Sequence, residues 1–179
     1  MFGFFQNKGE KAGVEAGRSL IQFLSVNLTR YDKDLLTVPD GFLAREYLLE
    51  FIYGFATVSL RCAFRGENWS QPDKGKYIYS CFETIDPVGR HGLTAFLDDS
   101  EAFLRRLASP LGHQGLDDGS CLATIMFDNL RADATSPELE KARSLAGRGM
   151  DLSSAFMMVT IQPYLRSVFS DDCHSEQFA

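Results

Sequence analysis

Two histidines with glycines close on either side are the residues of this chain best suited to acid–base or metal chemistry. His91 lies in a predicted loop at 86–92, and His113 lies in a predicted loop at 109–119. Imidazole changes its charge near neutral pH, so it can transfer protons or bind a divalent metal. Loops held by rigid helices commonly carry such groups.

Aspartates close to these histidines in sequence could complete an acid–base pair or a metal site if the two loops meet. The catalytic candidates are His91, His113, Asp117 and Asp118, and the candidate metal ligands are His91, His113, Asp98 and Asp99. The alternative is that both histidines are exposed turn residues and that the aspartates cap helices. We favour this alternative because the residues match no known ligand spacing.

Several motifs that identify enzymes are missing from the sequence. No Glu is followed by His three residues later, and there is no H-E-x-x-H motif, no glycine-rich phosphate loop with Lys, and no G-x-S-x-G elbow. Hydrolases, nucleotide-hydrolysing enzymes and zinc enzymes are therefore disfavoured. The sequence predicts no cofactor, and whether the chain is an enzyme stays open, with a non-enzymatic role preferred.

Exposed aromatic side chains are candidates for contact with a partner, since Trp in particular is enriched at binding hot spots. The predicted interface residues are Trp69, in a polar loop at 66–75, and Phe4 and Phe5 near the start of the chain. The alternative is that Trp69 covers the core and that the first five residues are disordered or dock on the domain itself. Three methionines could form an adaptable binding surface, but we interpret them as core filler: Met150, Met157 and Met158.

Glycines recur every fourth residue near the start of the first predicted helix, at Gly9, Gly13 and Gly17. On a helix they would form a smooth face for close packing. Each glycine inside a helix costs about 1 kcal/mol relative to alanine. We therefore favour a frayed start of the helix over close packing.

The element that must position any site is the segment Phe42–Phe64, the most apolar part of the chain. Asp40 is placed to cap it, and its first part, through Glu50, is predicted to keep charged residues on one side. The following ten residues carry no charge, which is about half of the ~20 that a membrane span needs. The segment therefore predicts a buried central helix.

The remaining apolar spacing is mostly helical and gives about seven helices in total. Residues 77–85 could also form a strand, but helix is preferred because its surroundings are helical. Ser136, followed by proline, predicts a helix start, and Asp151 is expected to cap the last helix. The predicted fold is all-α: a single-domain irregular or orthogonal bundle over 1–169 with a buried central helix, followed by a disordered acidic tail over 170–179.

Charge and cysteine content narrow the classes of partner. The chain has 179 residues and a net charge of −6, and its 18 basic residues form no run. Nucleic acid and anionic membrane are disfavoured, because phosphate binding requires clustered Lys and Arg. None of the four cysteines lies in a C-x-x-C pair, which is typical of a reducing, cytoplasmic compartment.

These observations favour a non-enzymatic module that binds another protein, as an adaptor, regulator or inhibitor. A homodimer is possible. One alternative is a small enzyme or metal-binding protein with its His/Asp site on the 86–92 and 109–119 loops. Another is a bundle that holds an apolar small molecule, since 15 phenylalanines could line a pocket between helices.

Overall fold

The computed structural model describes residues 8–63, 65, 69–99, 109–127 and 136–175. These residues form seven α-helices and no strand, which confirms the all-α prediction. No helix among them is long and apolar enough to cross a bilayer. The helices are α1 (Lys8–Leu28), α2 (Glu46–Ala63), α3 (Gln71–Ile85), α4 (Leu93–Asp98), α5 (Pro110–Phe127), α6 (Pro137–Ala146) and α7 (Leu152–Ser175).

The chain divides into two compact units, each packed mainly within itself. Unit 1 comprises residues up to 21 and residues 39–129, and unit 2 comprises residues 22–38 and those from 130 onward. Helix α1 contributes its first part to unit 1 and its last turns to unit 2. The single-domain prediction is not tested by this division and stays a prediction.

Helix α2 is the buried element of unit 1, but it begins later than the sequence predicts. A 3₁₀ turn at Phe42–Ala44 comes first, and Arg45 is extended, with φ −64° and ψ 142°. Asp40 does not cap α2, because that helix begins only at Glu46. The Asp40 carboxylate instead accepts a hydrogen bond from Nε of Arg90 at 2.6 Å. Glu50, the last residue of the predicted charged side, is completely buried.

Glycines bring α2 and α5 into backbone contact. A Cβ added at Gly115 would collide with the carbonyl oxygen of Tyr47, and one added at Gly119 would collide with that of Phe51. A Cβ added at Gly54 of α2 would likewise collide with the carbonyl oxygen of Leu116. The predicted loop at 109–119 is therefore wrong from its second residue onward, because these glycines belong to a helix face that packs against its neighbour.

The glycines of α1 serve the same purpose against α3. Helix α1 begins at Lys8, so the prediction of a frayed start is wrong. Gly13 lies against the backbone of Tyr77, and a Cβ at Gly17 would lie 2.8 Å from the carbonyl oxygen of Cys81. Close packing offsets the low helix propensity of glycine here.

Helix α3 confirms the choice of helix over strand for 77–85, and it starts within the predicted loop at 66–75. Ser70 caps it by accepting a hydrogen bond from the backbone N–H of Asp73 at 3.3 Å, while the Asp73 carboxylate accepts one from the N–H of Ser70 at 3.1 Å. This reciprocal pair is a capping box, which satisfies donors that the first turn leaves unpaired.

Both predicted helix starts in unit 2 are confirmed. Ser136 accepts a hydrogen bond from the N–H of Leu139 at 3.1 Å, and Asp151 accepts one from the N–H of Ser154 at 2.9 Å. Helix α7 continues to Ser175, so the predicted disordered tail is helical over its first six residues. Residues 176–179 lie outside the described part of the chain.

Candidate functional site

The predicted loop around His91 is a turn between α3 and α4, and a buried carboxylate holds it. Asp86 Oδ2 accepts hydrogen bonds from the backbone N–H of His91 at 3.0 Å and of Leu93 at 3.3 Å. His91 itself is buried, with 5% of its surface exposed. The Asp86 carboxylate therefore shapes the turn and supports the start of α4.

The other catalytic candidates lie on helix α5 instead of a loop. His113 and Asp117 are exposed. Asp118 is buried and accepts a hydrogen bond from the hydroxyl of Tyr47 at 2.8 Å. Asp118 therefore links α5 to α2 inside unit 1. A catalytic role for His91 and these three residues stays a prediction.

The candidate metal ligands Asp98 and Asp99 are exposed at the end of α4. Across the described residues, no three His, Cys, Asp or Glu side chains come together as a metal site requires. The metal hypothesis for His91, His113 and these two aspartates therefore gains no support.

The predicted interface residue Trp69 is half-buried, and its ring packs against a core side chain. Its ring centroid lies 6.3 Å from that of Tyr77, at an interplanar angle of 52°. Tyr77 donates a hydrogen bond to Ser59 Oγ at 2.9 Å, and burial raises the pKa of its hydroxyl far above the ordinary value. Phe4 and Phe5 lie outside the described residues. An interface role for these three aromatics stays a prediction.

A groove of about 720 Å³ opens on unit 2, and we call it the unit 2 groove. Its volume is typical of sites that bind small molecules or short segments. One wall comes from the end of α1, and the other comes from the α6–α7 turn and the first turns of α7. The lining residues are Gln22, Phe23, Val26, Asn27, Arg30, Arg148, Gly149, Met150, Asp151, Ser154 and Met158.

The α1 wall is a single helix face, since its lining residues are spaced by three or four positions along successive turns. Asn27 fixes this wall in place. Its side-chain amide donates to the carbonyl oxygen of Phe23 at 2.8 Å, and its Oδ1 accepts from Nε2 of Gln162 at 2.7 Å. The hydroxyl of Tyr31 donates to Oε1 of Gln162 at 3.0 Å. This buried network makes the wall a rigid surface.

The opposite wall is built on the start of α7. Asp151 caps the helix, and hydrogen bonds from the hydroxyl and then the backbone N–H of Ser154 lower the pKa of its carboxyl. Met150 and Met158 present flexible apolar side chains to the groove. Met157 is completely buried. Core filling is therefore the role of Met157 alone, and the other two methionines line an open site.

Two guanidinium groups lie at the rim of the groove. Arg30 and Arg148 are both exposed, and within the described part of the chain neither forms an ion pair. Among the lining residues that the structure describes, Asp151 is the one carboxylate. These residues therefore carry two positive charges against one negative charge, in a chain whose net charge is −6.

Comparison of the chain with family profiles, curated proteins and solved structures found no match. The sequence held one signal for the unit 2 groove. Leu20, Leu24 and Leu28 form the buried stripe of α1, whereas Phe23 and Val26 lie off that stripe, and Val26 is 58% exposed.

Proposed function

We propose that this chain is a non-enzymatic protein-interaction module that binds a short segment of a partner protein in the unit 2 groove. The observation that carries the proposal is the combination of exposed apolar side chains with a rigid wall. Val26 is largely exposed, and Phe23 beside it is half-buried next to the anchored Asn27. A partner that covers these side chains gains free energy from the apolar surface removed from water.

The size of the groove favours a few side chains over a whole domain. Its volume of about 720 Å³ lies within the range of roughly 300–1,000 Å³ that is usual for pockets which enclose a compact ligand. Met150 and Met158 can change rotamer at low cost, and methionine is common on surfaces that adapt to their partners. We therefore expect one short anchor segment to fill the groove.

The lining residues also favour binding over catalysis. None of the eleven lining residues that the structure describes is His, Cys, Lys or Tyr, so they offer no imidazole base and no thiol or amine nucleophile. The one hydroxyl among them, that of Ser154, is hydrogen-bonded to Asp151. The groove's carboxylate, Asp151, already accepts a hydrogen bond as the cap of α7. A general base must be able to reach and take a proton from a substrate, which this engaged carboxylate is poorly placed to do.

We propose that the chain acts in the cytoplasm, as an adaptor, regulator or inhibitor of the protein that it binds. The three cysteines with described side chains, Cys62, Cys81 and Cys121, form no disulfide, which agrees with a reducing compartment. A second copy of the chain is the competing occupant of the groove. Sedimentation of the purified chain at several concentrations would detect that self-association.

Selection from a displayed library of random peptides tests the proposal. The full chain is the bait, and Val26→Asp is the groove variant. Leu36→Asp is the matched control, because Leu36 is 80% exposed, lies in unit 2 and is not a lining residue. We expect selected peptides to bind the Val26→Asp chain at least about tenfold more weakly and the control unchanged, since a charged carboxylate would replace a buried apolar contact.

Either of two results would contradict the proposal. The library could yield no peptide above background, or the peptides could bind the Val26→Asp chain as tightly as the natural one. Thermal melting of both variants is the control for folding, because both side chains are largely exposed and neither substitution should unfold the chain.

A further inference from the structure

We infer that the partner segment carries an acidic side chain that pairs with Arg30 and Arg148, next to apolar residues that cover Val26 and Met158. This inference rests on the proposed function and names the chemistry of the partner. It would place an Asp or Glu at the rim of the unit 2 groove and apolar side chains inside it.

Within the described part of the chain, the two arginines of the unit 2 groove have no acidic partner. Neither Arg30 nor Arg148 forms an ion pair with any described residue, although acidic residues outnumber basic ones by 24 to 18 in the whole chain. Arg90 shows the contrast within unit 1, where its guanidinium pairs with Asp40 at 2.6 Å. Cationic groups at this rim therefore remain available to an anion from outside.

Two other polar side chains of the groove, Asp151 and Asn27, already have hydrogen-bond partners within unit 2. The Asp151 carboxylate accepts the N–H of Ser154, and the Asn27 amide is held by Phe23 and Gln162. These two side chains have internal partners, so they compete little for a ligand. The start of α7 adds a partial positive charge from its backbone N–H groups, which Asp151 offsets in part.

The guanidinium group of an arginine matches a carboxylate in geometry as well as in charge. Guanidinium is planar and binds carboxylate through two parallel hydrogen bonds, which gives direction as well as attraction. The apolar side chains of Val26 and Met158 line the same groove. A ligand that satisfies both parts has a carboxylate beside apolar groups, which is the chemistry of an acidic residue within an apolar peptide segment.

The peptides selected on the full chain also test this inference. We expect Asp or Glu to be enriched at one position, and a synthetic peptide with that residue changed to Gln or Asn to bind more weakly. Arg30→Ala and Arg148→Ala should each weaken binding by about fivefold, a figure reduced for the exposure of both guanidinium groups. Arg166→Ala is the charge-matched control, because Arg166 is an exposed arginine of α7 that does not line the groove.

The decisive measurement is a double-mutant cycle between peptide and protein. If the acidic residue pairs with Arg148, the neutral peptide should lose little further affinity when Arg148 is also replaced. Binding should also weaken as salt is raised, because the pair is exposed to solvent.

The two failures are distinguishable. Peptides that depend on Val26 but carry no acidic preference, and that bind the Arg30→Ala, Arg148→Ala and Arg166→Ala chains alike, would overturn the inference and leave the proposed function standing. Peptides that ignore Val26 would overturn both.

Discussion

The backbone contact between α2 and α5 makes Gly119 the position at which one methyl group should do the most damage. Helix propensity alone predicts that Gly119→Ala stabilises α5 by about 1 kcal/mol. The packing predicts the opposite, because the new Cβ would lie well inside van der Waals distance of the carbonyl oxygen of Phe51. A backbone carbonyl in a buried helix cannot rotate away as a flexible side chain can.

The size of the loss follows from the shift that the helices must make. Real Cβ atoms essentially never come within 3.0 Å of such an atom, so α2 and α5 must move apart locally by on the order of an ångström. Overpacking of this kind costs about 1–3 kcal/mol, and the rigid backbone puts Gly119→Ala at or above the upper end of that range. Subtracting the gain of about 1 kcal/mol in helix propensity leaves a net decrease of about 2 kcal/mol in the free energy of unfolding. For a chain of this size, that decrease lowers Tm by about 4–8 °C.

Gly75→Ala is the matched control. Gly75 also lies inside a helix, α3, but a Cβ added there meets nothing within 4 Å. This substitution should raise the free energy of unfolding by about 0.5–1 kcal/mol and raise Tm by about 2 °C, because it removes only the entropic cost of glycine. Thermal and urea melts followed by circular dichroism measure both variants. If Gly119→Ala melted at or above the temperature of the natural chain, the argument from close helix packing would be refuted.

Three further predictions concern single side chains. Tyr47→Phe should lower the free energy of unfolding by about 1–3 kcal/mol in a urea melt, because the buried Asp118 carboxylate loses the hydroxyl that donates to it; a loss below about 0.5 kcal/mol would contradict that role. Cys81 should resist alkylation in the folded chain and react only after unfolding, because burial raises the pKa of its thiol to about 12; fast labelling of the native chain, read by mass spectrometry, would be inconsistent with this. Asp151→Ala should lower the free energy of unfolding by about 1 kcal/mol at neutral pH. This loss should shrink as pH falls through the lowered pKa of the Asp151 carboxyl, because the protonated side chain is a weaker cap. A loss equally large in acid would exclude the charged cap.

The helical content and the buried central segment could be predicted because apolar spacing reports them directly. The interior environment of Glu50 could not, since a carboxylate in a helix ordinarily indicates an exposed position, and only tertiary packing places this one in the core. The loop assigned around His113 failed for a related reason. Proline and clustered glycine mark turns in most sequences, but Pro110 occupies the first position of α5, and Gly115 and Gly119 face α2.

The position of Phe23 and Val26 off the buried stripe of α1 was the one sign of the unit 2 groove in the sequence. Apolar spacing could not predict the groove itself, because it indicates which helix face is buried and not where two packed helices leave a space between them. Phe23 and Val26 read as further apolar residues of α1, and Arg148 reads as an ordinary residue of a turn. These residues form a site because they line one cavity together. Their arrangement depends on the hydrogen bond between Gln162 of α7 and Asn27 of α1.

Glycine spacing, by contrast, held more information than its use as a loop signal suggests. Gly13 and Gly17 face the backbone at Tyr77 and Cys81, which are also four residues apart, and Gly115 and Gly119 face Tyr47 and Phe51 in the same way. In each pair the residue numbers rise together, so the two helices run in the same direction where they touch. Carbonyl oxygens against glycine Cα atoms allow weak Cα–H···O interactions, which are common where helices approach closely. Two glycines four residues apart within an otherwise helical pattern therefore predict a close helix–helix approach better than they predict a turn.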